Sequence, residues 1–358
     1  MYLRYYLSMK YEILRRKLRL KRELLKKIGY KPGNFISINR EEKKPIKFAQ
    51  KLKNYSAIVS QEIYDPRSER YVGHTFNSRD VFKLNDVILE PKQGAIYSLD
   101  GKLISESTNW STSNFYESFP WNPKKITAKV NRSEVINLTS NSYGHWVAED
   151  LGSILYLIEN FPSSPILIYK NSPRYVHELL KKLNREVILC TGPVKVNSIL
   201  MVTKQNDSGW FHPKDMEVLN KFSDQVRGSK VESIERIYAT RRFLKRSPKN
   251  ERDIENLFKS YNFTILRLEE MNFIDEINLM HSTKIIAGVH GSWLFNSIWM
   301  DKGTMVFDIV NENYWTELNH RYCAVQNIDY KYFVYSGNVN NYVNVNDLEI
   351  TLNKILNN

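Results

Sequence analysis

An α/β fold of two facing Rossmann-like domains with a cleft between them, preceded by a basic helix, is predicted by three observations. Strand-length apolar runs alternate with helix-period stripes from Glu134 onward. That rhythm lapses over Gly209–Ser233 and then restarts, and 11 Lys or Arg residues crowd into the first 31 positions against two Glu. A chain of 358 residues is long for one typical domain and suits two. The expected spans are a basic amphipathic helix over 1–33, a first domain over 34–205, a linker over 206–233, a second Rossmann-like domain over 234–335, and a closing helix over 336–358 that packs back on the body.

The N-terminal segment repeats Leu3, Tyr6, Leu7, Tyr11, Leu14, Leu18, Leu24, Leu25 and Ile28 at helical spacing amid its cations. A basic amphipathic helix fits an anionic membrane surface, where each basic residue is worth about 1 kcal/mol. A solvated helix packed on the body and a nucleic-acid arm are the other readings. The segment lacks the uninterrupted apolar core of a signal sequence. Ile285–Met300, the most apolar stretch, is broken by His290, Gly291, Ser292 and Asn296 and is too short to span a bilayer. Cys190 and Cys323 are the two cysteines, too few for a disulfide framework, which favours a reducing compartment. These features predict a cytoplasmic chain, peripheral on the inner membrane face.

From Asn34 to Val130 the sequence reads as short strands and turns, including 55–60, 86–89 and 95–99, with a helix only near 43–54 and a hairpin turn at Asp100-Gly101. Val135–Leu138 is then a strand, and Asn141 or Ser142 opens a helix to about Asn160 with Val147, Leu151, Ile154, Leu155 and Ile158 as its apolar stripe. Strands at 166–169, 187–190 and 198–202 with a helix at 173–183 complete a parallel βαβαβ pattern. After an irregular stretch the second set follows. It has strands at 236–240, 263–266, 285–289 and 305–309, and helices at 250–261 (capped by Asn250), 273–281, 291–300 and 345–356.

Three constellations carry chemistry. At His290-Gly291-Ser292 a buried strand turns into a helix, whose first N–H groups and positive end suit a phosphate, with Gly291 admitting it to the backbone. Thr240-Arg241-Arg242 and Lys245 stand beyond the carboxyl end of another strand, the side of an open parallel sheet where ligands bind. Arg241 and Arg242 can fork onto phosphate oxygens, with Lys245 as a point charge. In Tyr143-Gly144-His145-Trp146, with Glu149 and Asp150, His145 lies in the first helical turn. There the positive end disfavours imidazolium and keeps a base neutral, while Glu149 at i+4 orients it. A plain strand–turn–helix connection, a solvated basic loop and a structural histidine are the bland alternatives.

No Asp-x-Asp pair occurs, nor the motifs of zinc proteases, serine hydrolases or phosphate-loop NTPases. Taken in order, Tyr143-Gly144-His145-Trp146 with Asp150, Tyr238-Ala239-Thr240-Arg241-Arg242, and His290-Gly291-Ser292 with Asn296 and Gly303 resemble glycosyltransferase family 61, over roughly 135–309. The resemblance implies a GT-B fold and an inverting transfer without metal or other cofactor, from a nucleotide-diphosphate sugar bound by the C-terminal half. Two departures stand out: Ser292-Trp293 where the family has Ala then Gly, and Asp275-Glu276 where it has Glu-Gln.

On this reading His145, or else Asp150 or Glu149, takes the acceptor's proton. Arg241, Arg242, Lys245, Gly291 and Ser292 hold the diphosphate, and His290 and Asn296 line the donor pocket. Tyr143 and Trp146 face the acceptor. Abundant Asn, Lys, Ile and Tyr point to a low-GC bacterial source, hence to a capsule or lipopolysaccharide acceptor, a growing polysaccharide or lipid-linked saccharide, and to no nucleic-acid partner. The alternative is a non-enzymatic α/β protein that binds polyanions or a membrane surface.

Overall fold

The computed structural model describes residues 35–36, 43–46, 79–101, 103–104, 107, 126–139, 142–202, 213–228, 233–242, 244, 247–312, 319, 323, 326–336 and 341–357. The basic helix expected over 1–33, the strand expected at 55–60, Asn141 and Lys245 lie outside them. The fold is mixed α/β, built on two sheets. No helix of the described residues is long and apolar enough to cross a membrane.

The first sheet contains β1 (Phe35–Ile36), β2 (Lys43–Ile46), β3 (Arg79–Glu90), β4 (Ala95–Tyr97), β5 (Leu103–Ile104), β6 (Ala128–Val130), β7 (Val135–Leu138), β8 (Ile166–Tyr169), β9 (Val187–Cys190) and β10 (Val194–Val202). Its order is β1-β5-β4-β3-β10-β7-β8-β9, with β2 on β3 and β6 on β10. β10, β7, β8 and β9 are parallel neighbours, as the βαβ rhythm requires, whereas β3 joins β10 antiparallel. Two local expectations change here. Lys43–Ile46 is a strand on β3 rather than a helix start, consistent with Pro45, which has no N–H for a helix interior. β3 runs 12 residues, through Asp86 at φ 50°, where the polar pair Asn85-Asp86 reads as a break. The Asp100-Gly101 hairpin turn forms: the Gly101 N–H donates to Ser98 O at 2.9 Å, at φ 84°.

Between β7 and β8 one continuous helical run comprises α1 (Tyr143–His145), a π-helical turn (Trp146–Leu151) and α2 (Gly152–Asn160). Its predicted stripe, Val147, Leu151, Ile154, Leu155 and Ile158, is buried. α3 (Arg174–Leu183) connects β8 to β9. The stretch read as a linker contains α4 (Pro213–Val226), whose Met216, Leu219, Phe222 and Val226 are buried. α4 packs on α2 so closely that a Cβ on Gly152 would stand 2.5 Å from Asp215 Cβ.

The second sheet is wholly parallel: β11 (Arg236–Ala239), β12 (Thr264–Leu266), β13 (Ile285–Val289), β14 (Met305–Asn311) and β15 (Asp329–Tyr335), in the order β12-β11-β13-β14-β15. Around it lie α5 (Glu251–Ser260), α6 (Phe273–Ser282) and α7 (Val345–Leu356). Asn250 precedes α5 without capping it, because its amide is spent on the backbone of Val343. The expected helix at 291–300 is a 3₁₀ helix, Ser292–Trp299, with residues 293–299 all buried. Packing on every side shapes it, rather than one amphipathic face.

This strand order is doubly wound. It reverses between β11 and β13, so the loops beyond those two strands part and leave a crevice at their carboxyl ends. One apolar core joins the two sheets, running from Ile136, Trp146 and Leu155 to Ile237, Ile286, Trp299 and Tyr330.

Candidate functional site

The crevice is occupied on one side by Arg241. Its Nη1 donates to His290 O at 2.8 Å, and a Cβ placed on Gly291 would lie 1.6 Å from that nitrogen. At Gly291 it is thus a guanidinium, rather than an incoming ligand, that meets the backbone. The loop that carries Arg241 is fixed from below by buried carboxylates on α5. Glu251 Oε1 accepts from the Arg241 N–H at 3.0 Å and from Tyr238 Oη at 2.9 Å, and Glu255 Oε1 accepts from Thr240 Oγ1 at 2.5 Å. Burial raises the Glu251 carboxyl above the ordinary range, against these hydrogen bonds. Arg242 turns the other way, its Nε 3.5 Å from Glu255. The expected fork of two arginines is thus a single arginine at the crevice.

A pocket of about 280 Å³ opens beside Arg241. The second sheet's loops contribute Arg241, Ser292, Trp293 and Asn296; the first sheet's helices contribute Tyr143, Arg174, Tyr175 and Glu178. Glu276, at the start of α6, completes the floor. The seam is close, since a Cβ on Gly144 would stand 2.8 Å from the Phe295 ring. Hydrogen bonds cross it. Tyr143 Oη donates to Asn296 Oδ1 and lies 3.3 Å from Glu276 Oε2, and the Phe273 N–H donates to Glu178 Oε2 at 2.8 Å. Arg174 donates to the carbonyls of Glu269, Glu270 and Met271. Glu178, Glu269 and Glu276 face the pocket together with Arg174 and Arg241.

The remaining predicted residues sit around this pocket. Trp293 lines it, while its indole N–H is held by Val289 O at 2.7 Å, so the ring is both wall and core. Trp146 is wholly buried, with its ring 4.7 Å from Tyr175, and so supports the wall from behind instead of facing a ligand. His290 is buried outside the lining; its Nδ1 lies 2.7 Å from Asp308, which also accepts from Tyr330 Oη at 2.7 Å. His145 Nδ1 meets Glu149 Oε1 at 2.6 Å, also outside the lining. That hydrogen bond raises the imidazole pKa against the opposing effect of burial, the reverse of the lowering expected from the helix end. Asp150 is buried and accepts from Thr139 Oγ1 at 2.9 Å, beside a separate small cavity under β10.

Sequence reasoning missed Arg174, Tyr175 and Glu178, because nothing local marks the start of α3 as facing another sheet. Glu276 showed only as a departure from a family pattern. Among the described residues no group of three His, Cys, Asp or Glu side chains stands close enough to hold a metal ion. Residues 143–307, which carry every lining residue of the pocket, match the family model described as Glycosyltransferase 61. No curated protein matches the chain.

Proposed function

We propose that this chain is a glycosyltransferase that moves a sugar from a nucleotide-diphosphate donor to an acceptor hydroxyl, with inversion and without a metal; the match of residues 143–307 to the Glycosyltransferase 61 family model supports the transferase reading. The observation that carries this reading is Arg241 seated on Gly291, where the doubly wound sheet reverses and a pocket lined from both sheets begins. A guanidinium fixed by the backbone on one side and by the Glu251 network below stabilises charge as it develops on a departing diphosphate, without reorganising. Ser292 opens the adjoining 3₁₀ helix, and Asn296 and Trp293 are the groups that meet the sugar. The two α/β units, the second wholly parallel and the first parallel only across β10, β7, β8 and β9, with a pocket lined from both, support a GT-B arrangement. Parallel sheets alone do not establish a transferase; the family match supplies that step.

The acceptor we propose is a growing polysaccharide or lipid-linked saccharide of the capsule or lipopolysaccharide type, met at an anionic membrane surface by the basic segment 1–31. Calorimetry with UDP, GDP and ADP tests the donor site. Arg241→Ala should weaken binding of the preferred nucleotide by about tenfold or more, the loss of one charge-assisted contact, and turnover of a nucleotide-sugar panel should persist in EDTA. An unchanged affinity in Arg241→Ala removes the residue from the donor site. Salt-sensitive binding of generic nucleic acid with no nucleotide-sugar turnover would favour the polyanion-binding alternative.

A further inference from the structure

We propose that Glu276 is the base that takes the acceptor's hydroxyl proton in this pocket. The proposal rests on the glycosyltransferase reading and adds the catalytic group to it. Three carboxylates line the pocket, and two are committed. Glu178 pairs with Arg174 Nε at 3.1 Å and caps α6 through the Phe273 N–H, and Glu269 pairs with Arg267 at 3.2 Å on the exposed rim. Glu276 has no ion pair among the described residues. Its Oε2 meets only the long Tyr143 contact, and its Oε1 accepts no hydrogen bond from a described residue. Glu276 as a residue is 6% exposed and lines the pocket, at the first turn of a packed helix. Tyr143 Oη, hydrogen-bonded to Asn296, stands 3.3 Å from Glu276 Oε2.

In the step, the acceptor oxygen bonds to the anomeric carbon as the bond from that carbon to the phosphate oxygen breaks. The electron pair leaves on the diphosphate beside Arg241, and the hydroxyl proton passes to the Glu276 carboxylate and then to solvent. Burial pushes this carboxyl up to about 8, and Glu178 and Glu269 add to the rise, while Tyr143 and Arg174 pull it down. Tyr175 and Arg241 are the other titratable groups of the lining. A carboxylate of that basicity is a stronger proton acceptor than an exposed one, and the active fraction grows with pH.

The experiment pairs nucleotide affinity (UDP, GDP and ADP by calorimetry) with nucleotide release from a panel of nucleotide sugars between pH 5.5 and 9. The wild-type kcat/KM should rise with pH toward about 8. Glu276→Gln should keep its melting point and nucleotide affinity, lose turnover by about 100-fold or more, and lose the rising arm. Glu276→Asp should keep the arm at a reduced rate, and it serves as the probe if the Gln variant does not fold. Turnover within about threefold of wild type in Glu276→Gln overturns the proposal. So does a rising arm that survives in Glu276→Gln and vanishes in His145→Ala. If wild-type protein binds none of the nucleotides, the glycosyltransferase reading itself fails, which is a separate result.

Discussion

His145 shows how one neighbour reverses an expectation. The first turn of a helix disfavours imidazolium, yet Glu149 one turn on accepts from Nδ1 at 2.6 Å and raises the pKa. A histidine whose folded pKa is raised contributes stability that is fully present below its unfolded value near 6.5 and is lost as pH climbs through the folded value. Glu149→Gln should therefore lower the melting point more at pH 5.5 than at pH 8.5, and the His145 titration followed by NMR should move down. Equal losses at both pH values would show that the pair contributes only packing. The approach of Arg241 to Gly291 was legible because both lie just beyond the carboxyl ends of adjacent parallel strands. The divergence of Arg242 was not legible: the strand ends at Ala239, and Arg242 sits in a turn closed by the Leu244 N–H on Arg241 O at 2.8 Å. The burial of Trp146 was not legible, since an indole fills a core as readily as it stacks on a ligand.

At the level of elements, β7, β8, β9, β13 and α7 fall on the predicted residues because their apolar runs are bounded by turn residues on both sides. α4 was missed: the Gly, Asp, Ser and His of 203–212 suggested a loop that was extended too far, over a stripe of only four apolar positions. β15, Asp-Tyr-Lys-Tyr-Phe-Val-Tyr, was missed because charges interrupt its aromatic alternation. Packing between elements is less legible still. Gly152 costs α2 about 1 kcal/mol in helix propensity relative to Ala, but a Cβ there would stand 2.5 Å from Asp215 Cβ and 3.0 Å from Asp215 Cα. Overpacking against backbone costs about 1–3 kcal/mol. Gly152→Ala should therefore lower the denaturant midpoint on balance, whereas a higher midpoint would mean that α4 slides aside freely.

Across the whole molecule, the predicted class and the two α/β units could be read from chain rhythm, whereas the ten-stranded extent of the first sheet could not, because β3 and β10 pair across more than a hundred residues. Charge acts at this scale as well. The excess of cations over 1–31 should make the full chain co-sediment with phosphatidylserine vesicles at low salt and release it at about 0.5 M salt, where screening is short-ranged. Deleting 1–33 should abolish co-sedimentation, and retention by the truncated chain would assign the membrane contact elsewhere. The interior shared by the two sheets has its own consequence for substrate traffic. Halves welded by a common set of Leu, Ile and Trp side chains do not swing apart like a clam shell. Entry and exit at the pocket then depend on its thin lip, the turn at 268–271 and the side chains of Arg174 and Leu244, so turnover should be governed by small local movements there.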